Sequence, residues 1–272
     1  MPRPYTLPHR SHRTGCLPEK DTIVYKDTPH AAAAELVPAE LASQSRAQFA
    51  TADALAAMLD HTLLKPEATR EQAATLAAEA AQYRFACAMV NPAWVPVVRD
   101  VLAGTGIRVG TVLGFPLGAS MTDTKCAEAR YAAQAGALDL DTVIHIGALR
   151  SGLYSDVEHE IHSIAEVAHG EGAILKVILE TCLLTDEEKR KSAEMCVHAG
   201  ADFVKTSTGF STGGATVADV RLLRATVGER CGVKASGGIR SLSDAVRMAQ
   251  AGANRIGASA SVAIVEAWKA LA

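Results

Sequence analysis

The stretch Ala199-Gly200-Ala201-Asp202-Phe203-Val204-Lys205 holds one unit of a repeat: a helix that closes on glycine, then a short apolar strand that ends on a lysine. Glycine belongs just past a helix because it takes positive φ without Cβ strain. The same punctuation recurs at Ala135-Gly136-Ala137 and Ala251-Gly252-Ala253, each just before an apolar run. Equal punctuation at the same point of successive units predicts a closed, quasi-symmetric array of βα units.

Working outward, the pattern is regular from Thr51 onward. Strands are expected at 58–62, 87–91, 109–113, 140–146, 175–179, 203–206, 233–235 and 255–257, with helical runs between them at, for example, 69–83, 123–135, 186–199 and 243–251. The fold class is α/β, a single (β/α)8 TIM barrel over residues 51–272. An open doubly wound sheet is the alternative, but no Gly-x-Gly-x-x-Gly follows the first strand. Residues 1–50 form an N-terminal extension, flexible or arm-like. The first thirty carry five prolines and no sustained period. Weakly helical runs follow at 31–37 and 39–49, with Pro38 expected to break them apart.

Composition narrows the function. The 272 residues are 49% hydrophobic but only 4% aromatic, and the net charge of −3 has both signs interspersed. No basic face advertises nucleic acid, and a small substrate is expected. No apolar run approaches the roughly 18 residues of a membrane span. Arg3, Arg10 and Arg13 have no apolar core behind them and make a poor secretory signal. The scattered cysteines form no CxxC pair and suit a reducing compartment, so the cytoplasm is expected. His159, His162 and His169 lie at spacings of three and seven. They read as a solvated helix face, a metal site being the alternative; no metal or cofactor is expected.

Three lysines, Lys176, Lys205 and Lys234, sit on three successive strands, 29 residues apart each time, in otherwise apolar segments. An ammonium is costly in such a strand, so either one snorkels to the mouth or the three serve chemistry. Asp141 lies in Asp139-Leu140-Asp141-Thr142-Val143-Ile144-His145, where alternation sends Asp141, Val143 and His145 to one face. It faces a lysine for chemistry or forms a structural ion pair. An amine attacks a carbonyl only when unprotonated. Bringing a lysine from about 10.4 to about 7 takes about 4 kcal/mol. A second ammonium about 4 Å away at an effective dielectric of about 20 supplies about 4 kcal/mol before desolvation is counted. Lysine beside another cation is a route to an amine nucleophile. Glycine-rich ends follow the last two strands: Lys234 leads into Ala235-Ser236-Gly237-Gly238-Ile239-Arg240, and the eighth strand ends Gly257-Ala258-Ser259. Bare amides there suit a phosphate, and Ser259 is placed either to cap the final helix or to reach a phosphate oxygen.

Asp60-His61-Thr62-Leu63-Leu64-Lys65-Pro66, Gly114-Phe115-Pro116-Leu117-Gly118, Leu175-Lys176-Val177-Ile178-Leu179-Glu180, Lys205-Thr206-Ser207-Thr208-Gly209-Phe210 and Val233-Lys234-Ala235-Ser236-Gly237-Gly238-Ile239-Arg240 resemble, in order, the deoxyribose-phosphate aldolase family. The resemblance runs from about Thr51 to the C-terminus. It implies reversible, metal-independent cleavage of 2-deoxy-D-ribose 5-phosphate to acetaldehyde and D-glyceraldehyde 3-phosphate. By that resemblance Lys205 is the Schiff-base lysine, Lys234 and Asp141 the proton-relay pair, and Lys176 a lysine that orders the site. Gly209, Gly237, Gly238 and Ser259 are its phosphate-binding positions. The partner is a small phosphorylated sugar or aldehyde, and a homo-oligomer is possible. Another lysine-dependent aldolase or transaldolase, or an inactive sugar-phosphate-binding barrel, is the rival reading. Met89 stands where the family usually has a cysteine, with Cys87 facing the same way but deeper. His145 replaces the usual asparagine, as a polar spectator or as a tuner of the relay.

Overall fold

The computed structural model describes residues 38–271. Eight short strands carry the apolar runs: β1 (Leu59–Leu63), β2 (Cys87–Val90), β3 (Arg108–Leu113), β4 (Asp139–Val143), β5 (Ile174–Ile178), β6 (Phe203–Lys205), β7 (Gly232–Ser236) and β8 (Arg255–Ala258). Each pairs in parallel with the next and β8 returns to β1, so the barrel is closed. The register climbs by about eight residues in one circuit, the shear expected of this barrel.

Local chemistry explains where the helices start and stop. Thr69, Thr185 and Ser241 each cap a helix in a reciprocal box with Gln72, Glu188 and Asp244, which satisfies backbone donors that no helical turn can. Past the C-termini of the helices Thr122–Ala135, Asp186–His198 and Leu242–Gln250, Gly136, Gly200 and Gly252 take positive φ, as the recurring Ala-Gly-Ala predicts. An apolar layer between strands and helices, rich in alanines such as Ala77, Ala80 and Ala129, forms the main core. Small side chains let the helices sit close on the sheet.

The structure departs from expectation in one place. β4 stops at Val143 rather than reaching residue 146. His145 leaves the strand and its Nδ1 accepts from the Ala148 N–H at 3.0 Å, opening a short helix, Ile146–Arg150. In the extension, Pro38 opens the helix Pro38–Gln48, where its missing N–H is no loss. That helix lies on the helix Leu242–Gln250, with Gln250 donating to Gln44 at 3.3 Å, and the next residue, Phe49, is in the core at 2% exposure. The run expected over 31–37 lies outside the described residues.

Candidate active site

Strand register sorts the inward side chains into tiers contributed by alternate strands. Cys87, Asp139, Phe203 and Arg255 make the lowest; Asp60, Gly110, Lys176 and Lys234 the middle; Met89, Asp141, Lys205 and Gly257 the upper. An ordinary barrel of this kind fills such tiers with Val, Ile and Leu. Here they hold ions. Equal spacing in sequence does not give equal depth: Lys205 pairs with Lys234, but Lys176 pairs with Phe203, two residues below Lys205.

Asp141 is the hub. Its Oδ2 accepts from Lys205 Nζ at 2.8 Å and Lys234 Nζ at 2.7 Å, and its Oδ1 from Lys176 Nζ at 3.0 Å. Lys176 also meets Asp139 at 2.6 Å and Lys234 meets Asp60 at 2.5 Å. Arg255 closes the lower end, 2.8 Å from Asp60 and 3.5 Å from Asp139. Arg108, partly exposed, also reaches Asp139 from that end. Within the tiers the carboxylates of Asp60, Asp139 and Asp141 are matched one for one by Lys176, Lys234 and Arg255. Lys205 is left over within the tiers, and with Arg108 the cations outnumber the carboxylates by two. Lys205 is also the lysine of the three that lines the open cavity.

That position sets its proton affinity. Burial, the largest influence, drives the Lys205 amine down; the Asp141 carboxylate opposes it, and Lys234 and then Lys176 push further down, leaving it at about 8. Burial therefore outranks the neighbouring cation that sequence reasoning put first. At pH 7 about one Lys205 in ten is then a free amine, against fewer than one in a thousand for an ordinary lysine. Burial also disfavours the charged form of Lys176, but Asp141, Asp139 and Asp60 together raise it above the ordinary value. Burial would raise the Asp141 carboxyl, yet Lys176, Lys205 and Lys234 overcome it and hold it well below the usual carboxylate range. The arrangement offers one buried amine that gives up its proton more readily than an ordinary lysine, beside the Asp141 carboxylate and the Lys176 ammonium, which hold their charges.

Above Lys205 opens a cavity of about 390 Å³ lined by Thr208, Gly209, Gly237, Gly238 and Ser259, with Lys65 and Arg240 at its rim. Gly209, Gly237 and Gly238 have φ of +83°, +86° and +79°. A Cβ on Gly237 would stand 3.0 Å from the Gly214 backbone, so glycine is what lets the β6 and β7 loops meet there. Phe210 crosses the edge of Phe115 at 5.3 Å beside this mouth.

All four charged residues singled out in the sequence come together, and all four proposed phosphate positions line the cavity. Ser259 does not cap the final helix: that role falls at Ala260, and Ser261 Oγ turns back to the Ala258 carbonyl at 2.9 Å. His145 lies beyond β4, so strand alternation does not govern it, and its Nδ1 is committed to a cap. Met89 and Cys87 are fully buried with Leu64 and Val112 in an apolar patch inside the barrel, and burial raises the Cys87 thiol well above its ordinary value. His159 and His162 stay exposed, while His169 turns away to Asp202 at 2.9 Å. Among the described residues the metal-ligand types that converge are Asp60, Cys87 and Asp139, and ammonium and guanidinium groups already contact both carboxylates. Sequence reasoning missed Asp60, Asp139 and Arg255 as parts of the ion network. Asp139 was open to it, being two residues before Asp141 on the same face. Lys65 and Arg240 lie within the family motifs, and only the folded cavity shows their place in it.

Residues 54–267 match the family described as DeoC/LacD family aldolase. Over 211 residues the chain is 54% identical to the deoxyribose-phosphate aldolase of Bacillus mycoides (strain KBAB4), covering 78% of this chain and 94% of that protein. The same figures hold for the deoxyribose-phosphate aldolase of Bacillus cereus (strain B4264). Among solved structures, the tetrameric deoxyribose phosphate aldolase of Aeropyrum pernix superposes with a TM-score of 0.78 at 36% identity, covering 87% of this chain and 100% of that one. The aldolase QR15 superposes with a TM-score of 0.76 at 37% identity, over 79% of this chain and 96% of that one.

Proposed function

The chain belongs to the DeoC/LacD family of aldolases, and from that premise we propose that it reversibly cleaves 2-deoxy-D-ribose 5-phosphate through a Schiff base on Lys205. The observation that carries this reading is the position of Lys205: a buried amine open to the cavity and 2.8 Å from Asp141, with burial and the neighbouring lysines drawing its proton affinity down.

The amine attacks the C1 aldehyde of the open-chain sugar, and loss of water gives an iminium. As the C3 hydroxyl gives up its proton, the C2–C3 bond breaks and its electron pair moves toward the iminium nitrogen, leaving an enamine and releasing D-glyceraldehyde 3-phosphate. Protonation at C2 and hydrolysis then return acetaldehyde and the free amine. Asp141 and Lys234, each in hydrogen-bond contact with the other and Asp141 with Lys205, carry the protons. Lys176 fixes Asp141 from the far side. The phosphate is held by the backbone at Gly209, Gly237 and Gly238 and by Ser259, with Lys65 and Arg240 adding positive charge at the rim.

Assembly as a homo-oligomer belongs to the same proposal, supported by the tetrameric relative of Aeropyrum pernix. So do a cytoplasmic setting and the division into a catalytic unit at 51–272 and an extension at 1–50. No helix of the described residues is long and apolar enough to cross a membrane. The test is acetaldehyde with borohydride, followed by peptide mapping. A two-carbon adduct on Lys205 is expected; an adduct elsewhere, or none, would overturn the assignment. Comparing deoxyribose 5-phosphate with longer ketose phosphates separates the substrate from those of other lysine aldolases.

A further inference from the structure

We propose that Glu180, a buried carboxylate just past β5, is a positioning residue that shapes the β6 loop for the substrate's phosphate. Its backbone sits at φ +57° and ψ +62°, a left-handed conformation strained for any residue with a side chain. Glu180 is 2% exposed, and no Lys or Arg among the described residues lies within ion-pair distance of it. Strain together with an unpaired buried charge is an expensive combination unless the side chain has a task.

Nearly all its bonds go to one residue. The Thr208 N–H donates to both carboxylate oxygens, at 3.3 and 3.4 Å, and the Thr208 hydroxyl donates to Oε2. A weaker contact comes from the Cys182 thiol at 3.8 Å. The Thr208 hydroxyl in turn accepts from the Phe210 N–H at 3.0 Å. A chain of hydrogen bonds thus runs from the carboxylate through Thr208 to Phe210 and spans Gly209, the first of the glycines at the phosphate end of the cavity. Thr208, Gly209 and Phe210 line that cavity and Glu180 does not. The carboxylate lies behind the loop, where it takes up the Thr208 donors. Gly209 itself takes the left-handed conformation at +83° and faces the cavity as part of its lining. The inference rests on the reading of the cavity as a sugar-phosphate site.

Glu180→Gln, Glu180→Gly and Thr208→Val are compared with wild type on 2-deoxyribose 5-phosphate and on unphosphorylated 2-deoxyribose. Glu180→Gly relieves the backbone, so its melting temperature holds or rises. The expected result for all three is a fall on the order of tenfold in the ratio of kcat/KM with phosphate to kcat/KM without it, the size set by losing a charged hydrogen bond. The loss appears in KM for the phosphorylated substrate, and Thr208→Ser restores it. Equal losses on both substrates, or none, would overturn the proposal. If the wild type does not cleave deoxyribose 5-phosphate, the functional reading fails, and inorganic phosphate still decides this one. Stabilisation of the wild type by phosphate that is lost in Glu180→Gly supports it; equal stabilisation of both sinks it.

Discussion

Replacing Lys234 by methionine removes the nearer cation from Lys205 while keeping the length of the side chain. Both Nζ atoms touch Asp141 Oδ2, at 2.8 and 2.7 Å, so they stand no more than about 5.5 Å apart. At an effective dielectric of about 20 that pair repels by about 3 kcal/mol, worth about two pKa units. The variant also leaves Asp60 and Asp141 with one countercharge fewer, which favours the Lys205 proton further. Lys205 should therefore move from about 8 to about 10 or above, and its free-amine fraction at pH 7 should fall on the order of 100-fold. The assay is the rate of borohydride trapping with acetaldehyde across pH 6 to 11. It reads iminium formation alone, apart from any role of Lys234 in proton transfer. A midpoint that stays near 8 in Lys234→Met would refute the role given to Lys234 and leave burial, with Lys176, as the cause.

Asp141→Asn removes the attraction that holds a proton on Lys205, so trapping at pH 7 should persist or quicken while turnover collapses; loss of both in parallel would contradict the assigned roles. The same variant leaves three buried ammoniums short of a partner, and a loss of about 3–5 kcal/mol in urea unfolding is expected, an unchanged midpoint being the contrary result. Lys125, fully buried, binds Glu160 at 2.7 Å and the Val143 carbonyl at 2.8 Å; Lys125→Met should cost about 3–5 kcal/mol, and adding Glu160→Met should recover part of it. A double variant no more stable than the single would show that the stranded carboxylate is not what hurts. Asp60, whose carboxyl burial would raise but Lys234, Lys176 and Arg255 hold at about 2, binds its proton less tightly folded than unfolded. Its contribution is complete above about pH 4 and drains away as pH falls through about 2, so acid melts of Asp60→Asn should be flatter there than those of wild type.

The barrel was legible because its punctuation is local. A glycine after a helix and a capping box answer to neighbours in the chain, so Gly136 or Thr185 with Glu188 can be read without tertiary knowledge. β4 was read too long because His145, polar and two residues beyond Val143, fits alternation as well as it fits a cap; only the ladder's end decides. Lys205 and Asp141 stood out because charge in an apolar strand is costly. Their depth did not, since it follows from the stagger between strands, which spacing along the chain does not record. Arg255 reads as the start of an ordinary strand until the closed barrel sets it beneath Asp60 and level with Asp139. Glu180 carries no signal of its own beyond its motif, because a left-handed backbone and a bond to Thr208 exist only once β5 and β6 lie side by side.

Titrating the Lys205 amine itself decides the matter most directly, by nitrogen-15 NMR of lysine-labelled protein with Lys205→Met to assign the resonance. Burial and the charges inside the barrel together predict a midpoint near 8. A Lys205 that keeps its proton beyond about pH 10, as an ordinary lysine does, would leave the barrel without its nucleophile.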